Sequence, residues 1–126
     1  MTHDPVNRPA HYVGDGLEAI DVIEDWRLGF HLGNAVKYIL RAGKKGDAWQ
    51  DLEKARWYVR RARALMPSGI RGRFDADEVA AAFGLRREIG DALHAIMTAV
   101  DNPRMWRVEL DTAEALLREA IERDGR

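Results

Sequence analysis

One stretch, Phe30 to Lys45, reads FHLGNAVKYILRAGKK and sorts onto two opposite faces when wound as a helix. At about 100° per residue, Leu32, Ala35, Val36, Ile39, Leu40, Ala42 and Gly43 share one side. Asn34, Lys37, Tyr38 and Arg41 share the other, at spacing i, i+3, i+4, i+7. A basic turn, Gly43-Lys44-Lys45-Gly46, follows. No carboxylate on the polar face neutralises its cations. The face offers an amide, an ammonium, a phenol and a guanidinium, with two further ammonium groups at its exit. That set suits an anion, and the planar fork of arginine suits a phosphate, because it bonds two oxygens at once. A plain solvated helix face would carry the same periodicity.

The rest of the chain reads as helices around this one. Residues 1–16 carry Pro5, Pro9, Gly14 and Gly16, and are expected as an extended arm ending near His11 and Tyr12, with room for a short hairpin at His11–Val13. A first helix is expected over Leu17–Arg27, capped near Asp15 or Gly16, with Leu28-Gly29 as its break. A third should begin at Asp47, with Gln50 completing a capping box, and run to about Leu65. Its core face would be Ala48, Leu52, Ala55, Tyr58, Val59, Ala62 and Met66. Trp49, Arg56, Arg60 and Arg63 would form a separate strip. Residues 67–75 read as a linker. Asp75 with Glu78 caps a fourth helical region that Gly84 could divide and Asn102-Pro103 ends. Val108, Leu110, Ala113, Leu116, Leu117, Ala120 and Ile121 stripe a last helix over Met105–Asp124. The expectation is an all-α chain: one domain, 1–126, in a compact bundle of about five helices.

Composition narrows function. The chain has 126 residues, a net charge of −1 and no cysteine, which excludes disulfides and thiolate metal sites. No apolar run reaches the roughly 20 residues of a membrane span. The first residues hold no signal-like apolar core, so a cytoplasmic site is expected. Near-neutral charge argues against a general nucleic-acid coat. The segment DADEVAAAFGLRREIGDAL could form a helix-turn-helix, but Glu88 and Asp91 in its second helix argue against duplex DNA. Phosphate loops, dinucleotide fingerprints and serine elbows are absent. The four histidines have no zinc spacing, His94 is expected buried or at an interface, and His31 could touch a phosphate or cap its helix.

Two carboxylate pairs, Glu18/Asp21 and Glu88/Asp91, could hold Mg²⁺ if they faced each other across helices. EIGDALHAIM resembles the E-x-x-D helix of MazG-type nucleotide pyrophosphohydrolases, without the upstream E-E-x-x-E that family needs.

From Val6 to about Ala62, four blocks in order resemble the SaV-like phage protein family. They are Val6–Tyr12 (VNRPAHY), Gly16–Ile23 (GLEAIDVI), Phe30–Lys45 and Asp51–Tyr58 (DLEKARWY). Residues 17–66 would then be the SaV-like helical core, and 76–126 a C-terminal set of helices matching nothing. The resemblance implies a phage or prophage origin, and so the cytoplasm of an infected bacterial host. Members are often labelled nucleotide kinases. By that likeness His11, Tyr12, Asn34, Lys37, Tyr38, Arg41 and Lys44 would face a nucleotide, in agreement with the face found from periodicity. His31, Lys45 and Trp49 complete the candidate ligand set.

The expectation is a nucleotide-binding phage protein that holds a phosphate-bearing nucleotide, cyclic nucleotides included, between protomers of a homo-oligomer, as a sponge for a host immune signal. It requires no cofactor. The alternatives are a deoxynucleoside monophosphate kinase without a P-loop, which would need Mg²⁺, a MazG-like pyrophosphohydrolase, and an oligomeric scaffold docking an acidic protein. Arg41→Ala should abolish ligand binding and spare the fold, whereas Ile39→Ala should destabilise.

Overall fold

A computed structural model describes residues 16–44, 46–66 and 68–124. The expected arm, His11, Tyr12 and Lys45 lie outside the described residues, as do Pro67 of the linker and any hairpin at His11–Val13.

The chain is all-α. The described residues form six α-helices: α1 Ala19–Asp25, α2 Phe30–Arg41, α3 Ala48–Leu65, α4 Ala76–Ala82, α5 Arg87–Asp101 and α6 Trp106–Arg123. A 3-10 turn, Pro103–Met105, leads into α6. Five helices become six because the fourth region divides. Gly84 takes φ +66 between α4 and α5, a conformation that L side chains rarely adopt. Asn102 and Pro103 end α5 as expected.

The long helices α2, α3, α6 and α5 pack in that order, and α5 returns to touch α2. Their apolar stripes meet in one core that includes Leu32, Val36, Ile39, Leu40, Leu52, Val59, Leu93, Ile96, Leu110 and Leu117. The periodicity of α2 places its buried side correctly through Leu40. Ala42 and Gly43 depart from it. The helix ends at Arg41, Ala42 is half-buried, and Gly43 is exposed in a left-handed turn at φ +83.

Other expectations need correction. The first helix is shorter than Leu17–Arg27: Glu18 is its N-cap, Trp26 its C-cap, and Arg27 has φ +51. Asp47 stands at the N-cap of α3 without a side-chain cap bond, so the expected box with Gln50 does not form. Asp75 caps α4, but through the N–H of Asp77. Met66 lies past the end of α3 and is exposed. Val108 is exposed too. It precedes Leu110 by two residues, about 200° around the helix, and so falls outside the buried stripe. His94 is half-exposed, with Nδ1 3.5 Å from Asp77 Oδ1, and is not a core residue.

The expected linker is a strap. The Asp25 carboxylate accepts the N–H groups of Arg73 at 3.0 Å and Phe74 at 2.7 Å. Buried Trp26 donates its indole N–H to Phe74 O at 2.9 Å, and its own carbonyl accepts Ile70 N–H. Gly29 N–H donates to Ser68 O. Gly72 is required there, because a Cβ would sit 2.1 Å from Asp25 O.

Candidate functional site

The outer face of α2 runs beside the outer face of α3, because the two helices are antiparallel neighbours joined by a short turn. On α2 the face carries Phe30, Asn34, Lys37, Tyr38 and Arg41. On α3 it carries Lys54, Trp57 and Tyr58, with Asp51 buried near its Arg41 end. The Tyr38 and Tyr58 rings stack, with centroids 6.2 Å apart and planes 10° from parallel. Two ammonium groups lie over Tyr38: Lys37 Nζ at 4.5 Å and Lys54 Nζ at 5.3 Å from its centroid. Such contacts leave the charge exposed to an incoming anion. Neither lysine has a carboxylate partner among the described residues.

Tyr58 is the hub. Phe30 and Trp57 meet it edge-on at 6.0 and 5.0 Å, and His31 lies 6.3 Å away. Periodicity puts Tyr58 on the core face of α3, and the structure leaves it half-buried, packed against the core with its ring also on this face; Lys54, Trp57 and Phe30 join the face without having been singled out by periodicity. The signal was present: Lys54, Trp57, Tyr58 and Arg61 repeat at i, i+3, i+4, i+7, as the residues of α2 do.

Arg41 closes one end of the face. Its side chain is 50% exposed, and its Nε lies 3.8 Å from Oδ1 of Asp51. Asp51 is buried at 4% exposure, and its Oδ2 has no hydrogen-bond partner. The guanidinium is therefore loosely held and open to solvent on its other side. At the far end, Asn34 donates its amide N–H to Phe30 O at 2.8 Å, and Nδ1 of His31 is buried without a hydrogen bond.

The remaining candidates separate from this face. Lys44 donates to the Phe83 carbonyl, which places a cation on the C-terminal end of α4. It lines a different cleft, of about 430 Å³, with Trp49, Asp47, Arg86 and Asp124. Asn34 and Lys37 line a shallow groove of about 230 Å³ with Phe30 and Leu28. Trp49 thus sits with Lys44, while two of the arginines expected beside it turn to α6: Arg56 bonds Glu114, and Arg63 bonds Asp111 at both carboxylate oxygens. Asp111 holds the Arg63 guanidinium above its ordinary pKa, by hydrogen bond and charge.

The carboxylate pairs do not converge. Asp21 accepts the Glu18 N–H and caps α1. Glu88 lies 3.6 Å from both Arg86 and Arg123, and Asp91 lies 4.0 Å from Arg87. No group of three or more His, Asp or Glu side chains able to hold a metal occurs among the described residues.

The architecture therefore defines an all-α protein whose first two long helices present a cationic and aromatic outer face. Residues 6–60 match the family model described as a protein of unknown function (DUF3310). The chain is also 46% identical over 63 residues to the Gene 1.7 protein of Enterobacteria phage T3, covering 42% of this chain and 38% of that protein. The chain thus matches well under half the length of this phage relative. The family match spans α2 and α3 as far as Arg60, including Lys37, Tyr38, Arg41, Lys54 and Tyr58, and stops short of α4, α5 and α6. No solved structure matches. Among the described residues, no helix is long and apolar enough to cross a membrane.

Proposed function

We propose that this protein binds a phosphate-bearing nucleotide on the outer face of α2 and α3. The observation that carries the reading is the Tyr38–Tyr58 stack with two ammonium groups over it and no carboxylate holding either. Lys37, Lys54 and Arg41 supply positive charge for phosphate oxygens. The tyrosines supply the ring surface on which a base stacks. Asn34 spends its amide N–H on Phe30 O and keeps its carbonyl oxygen as an acceptor.

In this reading, the segment covered by the family match, residues 6–60, belongs to a SaV-like domain that holds a nucleotide. A cyclic nucleotide signal of host immunity, sequestered in the cytoplasm of the infected cell by a homo-oligomer, is the biological use that fits a site of cations and rings.

Calorimetry against mono-, di- and cyclic nucleotides tests it. At least one should bind, and Lys37→Ala should weaken that binding tenfold or more, as expected for a lost charge-assisted contact of about 1.5–3 kcal/mol. Absence of binding by the whole panel refutes the reading. The same protein is incubated with ATP, Mg²⁺ and each deoxynucleoside monophosphate. Diphosphate formed by the wild type and lost in Lys37→Ala makes the face that of a kinase and replaces the binding reading.

A further inference from the structure

We infer that the face of α2 and α3 takes single-stranded nucleic acid, several successive bases stacking on the rings that converge on Tyr58. The inference rests on the reading above, that this face receives phosphates, and names the ligand class.

The extent of the face is the first argument. From Phe30 to Arg41 it runs twelve residues, about 16 Å from first to last along the helix. A stacked strand advances about 3.4 Å per nucleotide, so this length accommodates several. One nucleotide at Tyr38 would leave Phe30 and Trp57 unused. Those two rings are the second argument. Phe30 is 71% exposed and Trp57 56% exposed, yet both touch Tyr58 edge-on. Rings held in place by a neighbour and open to solvent are the stacking platforms that unpaired bases use, whatever their sequence.

Charge is the third argument. Beyond Lys37 and Lys54 on Tyr38, the Arg61 guanidinium lies 5.7 Å from the Trp57 centroid. Cations therefore flank the rings at both ends, and Lys37, Lys54 and Arg61 have no carboxylate partner among the described residues. An alternating row of rings and cations matches a strand of bases with a phosphate at each step. A second copy of the chain fits less well. A two-fold interface brings the same patch against itself, which would set these unpaired cations against their own kind. Duplex DNA presents its bases already stacked and offers these rings no platform.

Fluorescence anisotropy of labelled oligothymidylates of 3, 6 and 12 nucleotides, with the full chain, is the test, alongside the mononucleotide. Affinity should rise from the mononucleotide to the 6-mer and then level off. Four phosphate contacts, by Lys37, Arg41, Lys54 and Arg61, give a salt slope of about −3, or roughly a 50-fold loss between 50 and 200 mM salt. Trp57→Ala should weaken the 6-mer by roughly 5- to 150-fold, and Phe30→Ala should weaken it too. Thermal melts should be unchanged for both, since each side chain is mostly exposed. Arg107→Ala, on α6, serves as the control and should bind as the wild type does.

A mononucleotide that binds as tightly as the 6-mer overturns the inference and leaves the nucleotide reading standing. Binding by neither overturns the inference, and the nucleotide reading falls with it only when the whole mono-, di- and cyclic-nucleotide panel also fails to bind. Sedimentation showing a dimer that Trp57→Ala dissociates, with no oligonucleotide bound, assigns the rings to a contact between copies and overturns the inference.

Discussion

Trp26→Ala lowers the free energy of unfolding by about 3–5 kcal/mol, the range for deleting a fully buried large aromatic. Trp26 has no exposed surface, and it lies where the end of α1 meets the strap. Its loss opens a cavity and also removes the donor to Phe74 O, leaving a buried carbonyl to find another partner. Phe74 is itself part of the core, so the damage spreads along the strap. Urea denaturation measures the change, and hydrogen exchange locates it. Protection should fall at Ile70, Arg73 and Phe74, whose N–H groups bond the end of α1. Exchange that accelerates uniformly would show that the strap unfolds only with the whole molecule.

Ile39→Ala costs about 2–5 kcal/mol, because Ile39 is wholly buried on the inner side of α2. Arg41, two residues on, is expected from sequence to be removable at smaller cost, and the structure adds one term to that expectation. Arg41 Nε lies 3.8 Å from the buried carboxylate of Asp51, and removing one partner of a buried charge strands the other. Since Arg41 is half-exposed, solvent moderates the penalty, and Arg41→Ala should cost about 1–2 kcal/mol. Adding Asp51→Asn to Arg41→Ala should recover most of this loss, and Ile39→Ala should not respond to the Asp51 change. Chemical denaturation of the four proteins checks both statements. For ligand binding, Lys37 is therefore the cleaner probe.

The contrast between Ile39 and Arg41 also shows what a sequence can disclose. Which side of α2 is buried follows from local periodicity, so Leu32 through Leu40 and the all-α class were readable in advance. The break at Gly84 was readable for the same reason, as a residue suited to a left-handed turn. Contacts between distant parts of the chain were not. Asp25 bonds Arg73 and Phe74 across 48 and 49 residues, and Arg56 meets Glu114 across 58. Nothing local distinguishes those carboxylates from solvated ones. The candidate site shows the same division. Asn34, Lys37, Tyr38 and Arg41 share a face because they share a helix. Tyr58 and Lys54 join them only through the packing of α3 on α2, and Lys44 leaves them because α4 ends within its reach.

The central claim, that the outer face of α2 and α3 receives phosphate, is tested most directly by mapping backbone amide shifts as the best-binding nucleotide is titrated into the full chain. The account predicts shifts concentrated at residues 34–41 and 51–58, diminished in Lys37→Ala. Shifts confined to the groove between α3 and α6 lined by Arg60, Arg63 and Arg118, or to the cleft of Lys44 and Arg86, with residues 34–41 unmoved, would contradict it.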